Sequence, residues 1–188
     1  MGDVELLEGK TVNLRIVERD DAGFLAEFNN DIGVWGEYEP VDEQRSKSDL
    51  MKRLDNPSNY ELFCEIKRFI IQRKDGTNVG VINHWLFQPF KWMGISYCIS
   101  PSERGKGYVT EAVQLMIDYL FLSQNIVCIR TITNVGNKAS QRVLKKVGFS
   151  VEGTVRKAGF VRGLWADYYI HSILREEWKE PKILTKTA

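Results

Sequence analysis

Cysteine and histidine are scarce in this chain of 188 residues, which holds three cysteines and two histidines. Cys64, Cys98 and Cys128 are odd in number and widely spaced, so they provide neither a disulfide framework nor the close ligand pairs of a zinc site. His84 and His171 also lie far apart in the sequence. We therefore expect no metal in this protein.

Long hydrophobic runs and an excess of charge of one sign are also missing. The best apolar run, residues 112–122, is interrupted by Gln114 and Asp118 and falls short of the roughly 18 residues that a membrane span requires. The N-terminus lacks the basic start of a signal peptide. Lys plus Arg number 26 and Asp plus Glu 25, and a net charge of +1 argues against general binding to nucleic acid. We expect a cytoplasmic protein that binds neither membranes nor nucleic acid.

No low-complexity tract, internal repeat or linker divides the chain, so we expect one domain over residues 1–188, with a core at about 9–178. Hydrophobic periodicity predicts an α+β domain with a largely antiparallel sheet. A short helix carrying Phe24, Leu25 and Phe28, capped by Asp20 or Asp21, precedes a loop over residues 29–42. The other predicted elements are strands at 11–17, 63–72, 78–87, 94–100, 126–132 and 164–174, and helices at 46–54, 110–122 and 137–147.

A glycine-rich turn precedes the helix at 110–122. Gly105 and Gly107 let the backbone approach a ligand closely, and the free N–H groups of a helix start attract anions. Arg104 and Lys106 add positive charge, so the turn is a candidate cradle for a phosphate or pyrophosphate. The alternative is a plain strand-to-helix turn with two solvated basic residues.

Two nucleotide-binding patterns do not match this turn. A P-loop requires Lys and then Ser or Thr after its second glycine, whereas Tyr108 follows Gly107. The dinucleotide pattern requires a third glycine where Thr110 stands.

A second cluster, NVGNKASQRVLKKVGF at residues 134–149, combines a helix cap at Asn137 with Ser140 in the first helical turn. The motif R-x-x-G-x-[G/A], followed about thirty residues later by this cluster, resembles the GNAT superfamily of acyl-CoA-dependent N-acetyltransferases. The RimJ/RimL type, which acetylates N-terminal amines of ribosomal proteins and has relatives acting on small amines, is the most similar. The resemblance covers nearly the whole chain.

The resemblance implies the GNAT acyl-CoA N-acyltransferase fold and acetyl-CoA as co-substrate. The pyrophosphate is expected on the amides of the turn, and the pantetheine arm in a gap between strands 94–100 and 126–132. Val109 stands where glycine or alanine is commonest, and we expect it to weaken this binding. The implied cofactor-binding residues are Cys98, Ile99, Arg104, Gly105, Lys106, Gly107, Tyr108, Val109, Thr110 and Asn137.

The resemblance also implies direct attack of a neutral amine on the thioester. Ser140 is the candidate proton donor to the leaving thiolate, with a helix-start hydrogen bond as its alternative role, and Asn137 is expected to bind the pantetheine or an ordered water. The general base stays open among Glu37, Glu39 and His84.

The candidate acceptor-binding residues are Trp35, Glu37, Tyr38, Glu39 and His84. Their mixture of acidic and aromatic side chains suits a cationic amine, although a solvated acidic loop would have the same composition. The expected acceptor is a protein N-terminal α-amine or a small amine such as a polyamine or an aminoglycoside.

Other interpretations stay open. A basic stretch near the final hairpin has three open interpretations. It is expected to face the 3′-phosphate of CoA, an acidic protein substrate or solvent, and it consists of Arg156, Lys157 and Arg162. Val109 and the absence of carboxylates between Gly153 and Ala166 leave a non-catalytic acyl-CoA sensor on the same fold as the alternative function. A nucleotide-binding protein is a third hypothesis. The chain is expected to be a monomer or a homodimer.

Overall fold

The computed structural model describes residues 6–41, 43–55, 66–87 and 90–183. In these ranges eight strands form one mixed sheet, and five α-helices flank it. The strands are β1 (Leu6–Glu8), β2 (Val12–Ile16), β3 (Ile66–Arg73), β4 (Asn78–Phe87), β5 (Trp92–Ile99), β6 (Cys128–Asn134), β7 (Ser150–Val161) and β8 (Leu164–Leu174). The helices are α1 (Ala22–Asn30), α2 (Ile32–Trp35), α3 (Lys47–Asp55), α4 (Tyr108–Ser123) and α5 (Lys138–Val147).

The sheet has the strand order β1-β2-β3-β4-β5-β6-β8-β7. All neighbouring strands run antiparallel except β5 and β6, which are parallel because α4 crosses over between them. The predicted α+β class with a largely antiparallel sheet is therefore confirmed.

Two hydrophobic cores lie on opposite faces of the sheet. The larger one packs α4 and α5 against the sheet through fully buried residues such as Met116, Leu144 and Ile95. The smaller one packs α1, α2 and α3 through residues such as Leu25 and Leu50. Burial on both faces holds the middle strands in place, so the ends of β5 and β6 are rigidly positioned.

The structure corrects the expected loop over residues 29–42. The first helix continues to Asn30, and α2 follows it; position 42 lies outside the described residues. Helix α2 has only four residues and starts where the Asp31 side chain accepts a hydrogen bond from the Gly33 N–H at 2.8 Å. Four residues are too few for a hydrophobic period to be visible in the sequence.

Other boundaries shift by one to three residues, and β1 was not predicted. Asp21 stands at the N-cap of α1 but does not cap it with its side chain, because its carboxylate binds the Arg15 guanidinium and the Glu18 N–H. The predicted strand start at 63–65 lies outside the described residues. In the described ranges no helix is both long and apolar enough to span a membrane.

Candidate active site

Strands β5 and β6 pair over a short distance and then separate. Their parallel register joins Trp92 to Cys128, Met93 to Ile129 and Gly94 to Arg130. Beyond Gly94, no further β6 partner for β5 exists in the described chain.

The separation leaves one side of the β5 backbone, at residues 95–99, open to hydrogen-bond a ligand. Cys98 and Ile99 lie in this segment, and their side chains pack into the two opposite cores. Only their main chains therefore face the gap.

The glycine turn lies at the end of this gap. Gly105 and Gly107 have φ values of 77° and 88°, in the left-handed region that favours glycine. The first backbone hydrogen bond of α4 runs from the Glu111 N–H to the Gly107 carbonyl at 3.2 Å.

Within the described residues, the N–H groups of residues 105–110 have no protein acceptor, whereas the Arg104 N–H donates to the Pro101 carbonyl at 3.3 Å. The Val109 side chain packs against the larger core. The turn therefore fits an anion such as a pyrophosphate.

The basic side chains of the turn bind protein groups. The Arg104 guanidinium donates to the carbonyls of Gly33 at 2.7 Å and Val34 at 2.8 Å. The Lys106 ammonium lies 3.0 Å from the Glu103 carboxylate. Arg104 thus connects the turn to α2.

The loop at residues 35–39 is held in place by side chains from other segments. Arg162 donates to the Gly36 carbonyl at 2.7 Å, and the Tyr168 hydroxyl donates to the Tyr38 carbonyl at 3.2 Å. The Tyr38 ring lies so close over Gly136 that a Cβ there would stand 2.7 Å from a ring carbon. Three distant elements therefore fix this loop.

Glu39 lies at the inner end of the loop. Its Oε1 accepts a hydrogen bond from the Asn137 Nδ2 at 3.4 Å, and the Asn137 Oδ1 accepts one from the Ser140 N–H at 3.1 Å. Burial raises the pKa of the Glu39 carboxyl, and the hydrogen bond from Asn137 opposes this rise. Asn137 is thus the N-cap of α5, as predicted, and it also orients a carboxylate.

Ser140 pairs with a hydroxyl that the sequence did not indicate. The Ser140 Oγ lies 2.7 Å from the Tyr97 hydroxyl, so the pair connects the open segment of β5 to the first turn of α5. Burial raises the pKa of Tyr97, so the phenol stays protonated. Strand alternation was the available signal, since Tyr97 shares a face with Ile95 and Ile99.

His84 is not part of this group. It lies on β4 opposite Ile95 and faces the larger core, where its ring packs between Phe69 and Tyr119 at centroid distances of 5.8 and 6.0 Å. It is only 4% exposed, and burial lowers its pKa to about 4. Strand alternation places this side chain in the core, so the structure removes it from the candidate bases and acceptor contacts.

The remaining candidates of the loop differ in their surroundings. Glu37 is exposed to solvent. The Trp35 indole N–H donates to the Asn29 carbonyl at 2.9 Å and thereby fixes α2 to the end of α1. Of the two loop carboxylates, only that of Glu39 is oriented by a protein partner in the described structure.

Comparison with known proteins identifies the family. Residues 11–150 match the family described as "Acetyltransferase (GNAT) domain". This protein belongs to the GNAT acetyltransferase family. The predicted resemblance to the GNAT superfamily and the predicted fold are therefore confirmed, and the protein is an N-acetyltransferase that uses acetyl-CoA.

Individual relatives are named for different acceptors. The putative ribosomal N-acetyltransferase YdaF of Bacillus subtilis (strain 168) is 28% identical over 177 residues, which cover 91% of this chain and 95% of that protein. The spermidine N(1)-acetyltransferase of Escherichia coli (strain K12) is 30% identical over 162 residues, covering 81% and 80%.

A solved structure shares the same fold. The spermidine N-acetyltransferase from Vibrio cholerae, in complex with CoA and spermine, has a TM-score of 0.77 at 23% identity. The similarity covers 89% of this chain and 98% of that one.

Proposed function

We propose that this enzyme transfers the acetyl group of acetyl-CoA to the α-amine at the N-terminus of a protein, within a ternary complex. The observation that carries the proposal is the convergence of Glu39, Asn137, Ser140 and Tyr97 beside the gap between β5 and β6. The glycine turn offers free amides for the pyrophosphate, and the open side of β5 offers main-chain groups for the pantetheine arm.

Acetyl-CoA supplies the activated carbonyl carbon that the acceptor nitrogen attacks. The Glu39 carboxylate accepts the proton of the incoming amine, and its raised pKa makes it a better base than an exposed carboxylate. An α-amine with a pKa of about 7.7–8.0 needs only modest help at neutral pH, which suits a single carboxylate.

Ser140 and Tyr97 act on the leaving group. As the C–N bond forms and the C–S bond breaks, the Ser140 hydroxyl donates to the departing sulfur, and the Tyr97 hydroxyl donates to the Ser140 Oγ. The phenol keeps its proton because burial raises its pKa, so its role is hydrogen bonding and orientation.

Cys98 has no covalent role in this mechanism. Burial raises the pKa of its thiol to about 12, and the thiolate is the nucleophilic form of cysteine. Direct transfer from acetyl-CoA to the amine is therefore the reaction that the site supports.

The experiment combines binding and turnover. Calorimetric titration with acetyl-CoA, ATP and NAD is expected to show saturable binding of acetyl-CoA alone. Mass spectrometry of N-terminal peptides incubated with acetyl-CoA is then expected to show a mass gain of one acetyl group. Binding of acetyl-CoA without acetylation of any peptide or small amine would favour the sensor hypothesis instead.

A further inference from the structure

A bulge on β7 carries two exposed cations. Val155 pairs with Tyr168 and Gly159 with Ala166, so the three residues between them, 156–158, stand opposite Asp167 alone. Lys157 takes a positive φ of 50° in this bulge. Arg156 and Lys157 are both exposed, and no carboxylate of the described chain pairs with either side chain.

The bulge adjoins the 35–39 loop. The Asp167 carboxylate accepts from the Lys157 N–H at 2.8 Å, and the Asp167 carbonyl accepts from the Val135 N–H at 3.0 Å, directly before Gly136. The Tyr168 ring fills the space over Gly159, 2.8 Å from where a Cβ would stand, and its hydroxyl binds the Tyr38 carbonyl. The bulge therefore lies one or two residues from the contacts that fix the loop.

Arg162 adds a third cation at the same rim. Its guanidinium donates to the Gly36 carbonyl, which is a neutral acceptor, so its charge is not neutralised there. The inner end of the loop holds the partly buried carboxylate of Glu39. The charge pattern is the partly buried Glu39 carboxylate inside and three cations at the rim, which also holds the carboxylates of Asp167 and Glu37.

We propose that the acceptor is an acidic peptide N-terminus, whose first residues carry Asp or Glu side chains that bind Arg156 and Lys157. This inference rests on the proposed function, because it places the acceptor amine at Glu39. The α-ammonium matches the inner carboxylate, and the acidic side chains match the rim. A polyamine carries further cations along its chain, and these would meet Arg156, Lys157 and Arg162, where like charges repel.

The test compares short peptides of equal length that share an N-terminal serine and differ at the following positions, which hold Glu, Gln or Lys. We expect kcat/KM to be about tenfold higher for the Glu peptide than for the Gln peptide at low salt, and lowest for the Lys peptide and for spermidine. The preference shrinks as added salt screens these exposed charges.

Variants assign the preference to the bulge. The double substitution Arg156→Gln with Lys157→Gln is expected to abolish the preference for the Glu peptide, and Arg156→Glu with Lys157→Glu to reverse it. The matched control is Lys145→Gln with Lys146→Gln, which removes two exposed cations from the far end of α5 and leaves the preference intact. Turnover of the Gln peptide measures whether each variant is folded and active.

The outcomes separate the two proposals. Equal turnover of Glu and Gln peptides overturns the acidic-peptide inference alone. A higher kcat/KM for spermidine than for every peptide overturns both this inference and the proposed α-amine acceptor. Failure to acetylate any amine while acetyl-CoA binds overturns the proposed function itself.

Discussion

The glycine turn takes its shape from its own residues, whereas the 35–39 loop takes its shape from distant ones. Gly105 and Gly107 have open space around their Cα atoms, so glycine is required there only by the positive φ. The loop depends instead on Arg162, Tyr168 and the close approach of Tyr38 to Gly136.

This difference matches the two proposed tasks. A turn with free amides binds a pyrophosphate, which is a constant feature of the co-substrate. The 35–39 loop is held by contacts from the N-cap of α5, from β8 and from the β7–β8 hairpin. Its shape changes when any of those segments changes, and so it suits the variable acceptor. Substitutions in the glycine turn, the cofactor side, should therefore change the dissociation constant of acetyl-CoA. Substitutions in the 35–39 loop, the acceptor side, should change KM for the acceptor.

The largest effect is expected from Glu39→Gln on the acceptor side. Loss of the carboxylate removes the proposed base, and we expect kcat/KM for the amine to fall by about 10²–10⁴-fold. The dissociation constant of acetyl-CoA, measured by calorimetry, should stay unchanged.

The pH profile provides a second measurement for Glu39. The raised pKa means that the active, ionised form is lost as pH falls through that value, so wild-type kcat/KM declines on the acid side. Protonation of the acceptor amine, at a pKa of about 7.7–8.0, also lowers kcat/KM in every variant. Glu39→Gln should lack only the further limb that belongs to the carboxyl, whereas the control Glu37→Gln, at an exposed neighbour, should keep it. A carboxyl limb that persists in Glu39→Gln would assign the base to another group.

The next largest effect concerns the hydrogen-bonded hydroxyls of Tyr97 and Ser140. Tyr97→Phe keeps the ring in the core and removes only the hydroxyl, and we expect kcat to fall by about 10–100-fold with little change in KM for acetyl-CoA.

A double variant distinguishes a pair from two independent groups. Because the two hydroxyls act as a unit, Tyr97→Phe combined with Ser140→Ala should be no slower than Ser140→Ala alone. Multiplicative losses in kcat would show that the hydroxyls act independently.

Gly105 in the glycine turn and Gly136 under the Tyr38 ring allow a direct comparison of the cofactor side with the acceptor side. Gly105→Ala forces a Cβ into the left-handed region, at a cost of about 1–2 kcal/mol that should weaken acetyl-CoA binding by about tenfold. Gly136→Ala introduces a Cβ that contacts the Tyr38 ring, so it should raise KM for the acceptor and spare the dissociation constant of acetyl-CoA. If both variants changed the same constant, the separation of the two sides would be wrong.

The shape of the glycine turn and the cap of α5 were easier to predict from the sequence than the contacts of the 35–39 loop. Gly105, Gly107 and Asn137 have local effects, through backbone freedom and helix capping, and these are visible in a short stretch of sequence. The gap in the sheet was implied by the family resemblance and is present in the register of β5 and β6.

The acceptor side was predicted only as a list of nearby residues. Selecting Glu39 and excluding His84 requires knowing which side chains meet across more than 90 positions of sequence, and the Tyr97–Ser140 pair requires the register of a strand against a helix. Local periodicity contains neither kind of information. Helix α2 was missed because four residues show no period.

The smallest expected effect comes from Arg104, which connects the two sides. Its guanidinium holds the carbonyls of Gly33 and Val34, so the glycine turn and the segment that leads into the 35–39 loop are mechanically linked. Arg104→Lys keeps the positive charge but loses the fork that reaches both carbonyls, and about 1 kcal/mol of lost hydrogen bonding should raise KM for the acceptor about fivefold.

The neighbouring Lys106 provides the matched control, because it pairs with Glu103 and does not touch the loop. Lys106→Gln should leave the acceptor KM near its wild-type value. Calorimetry of the acceptor with and without bound CoA measures the link itself, since any coupling between the two sites is reciprocal. A coupling that is the same in wild type and in Arg104→Lys would show that the two sides communicate through another path, such as the contact of Glu39 with Asn137.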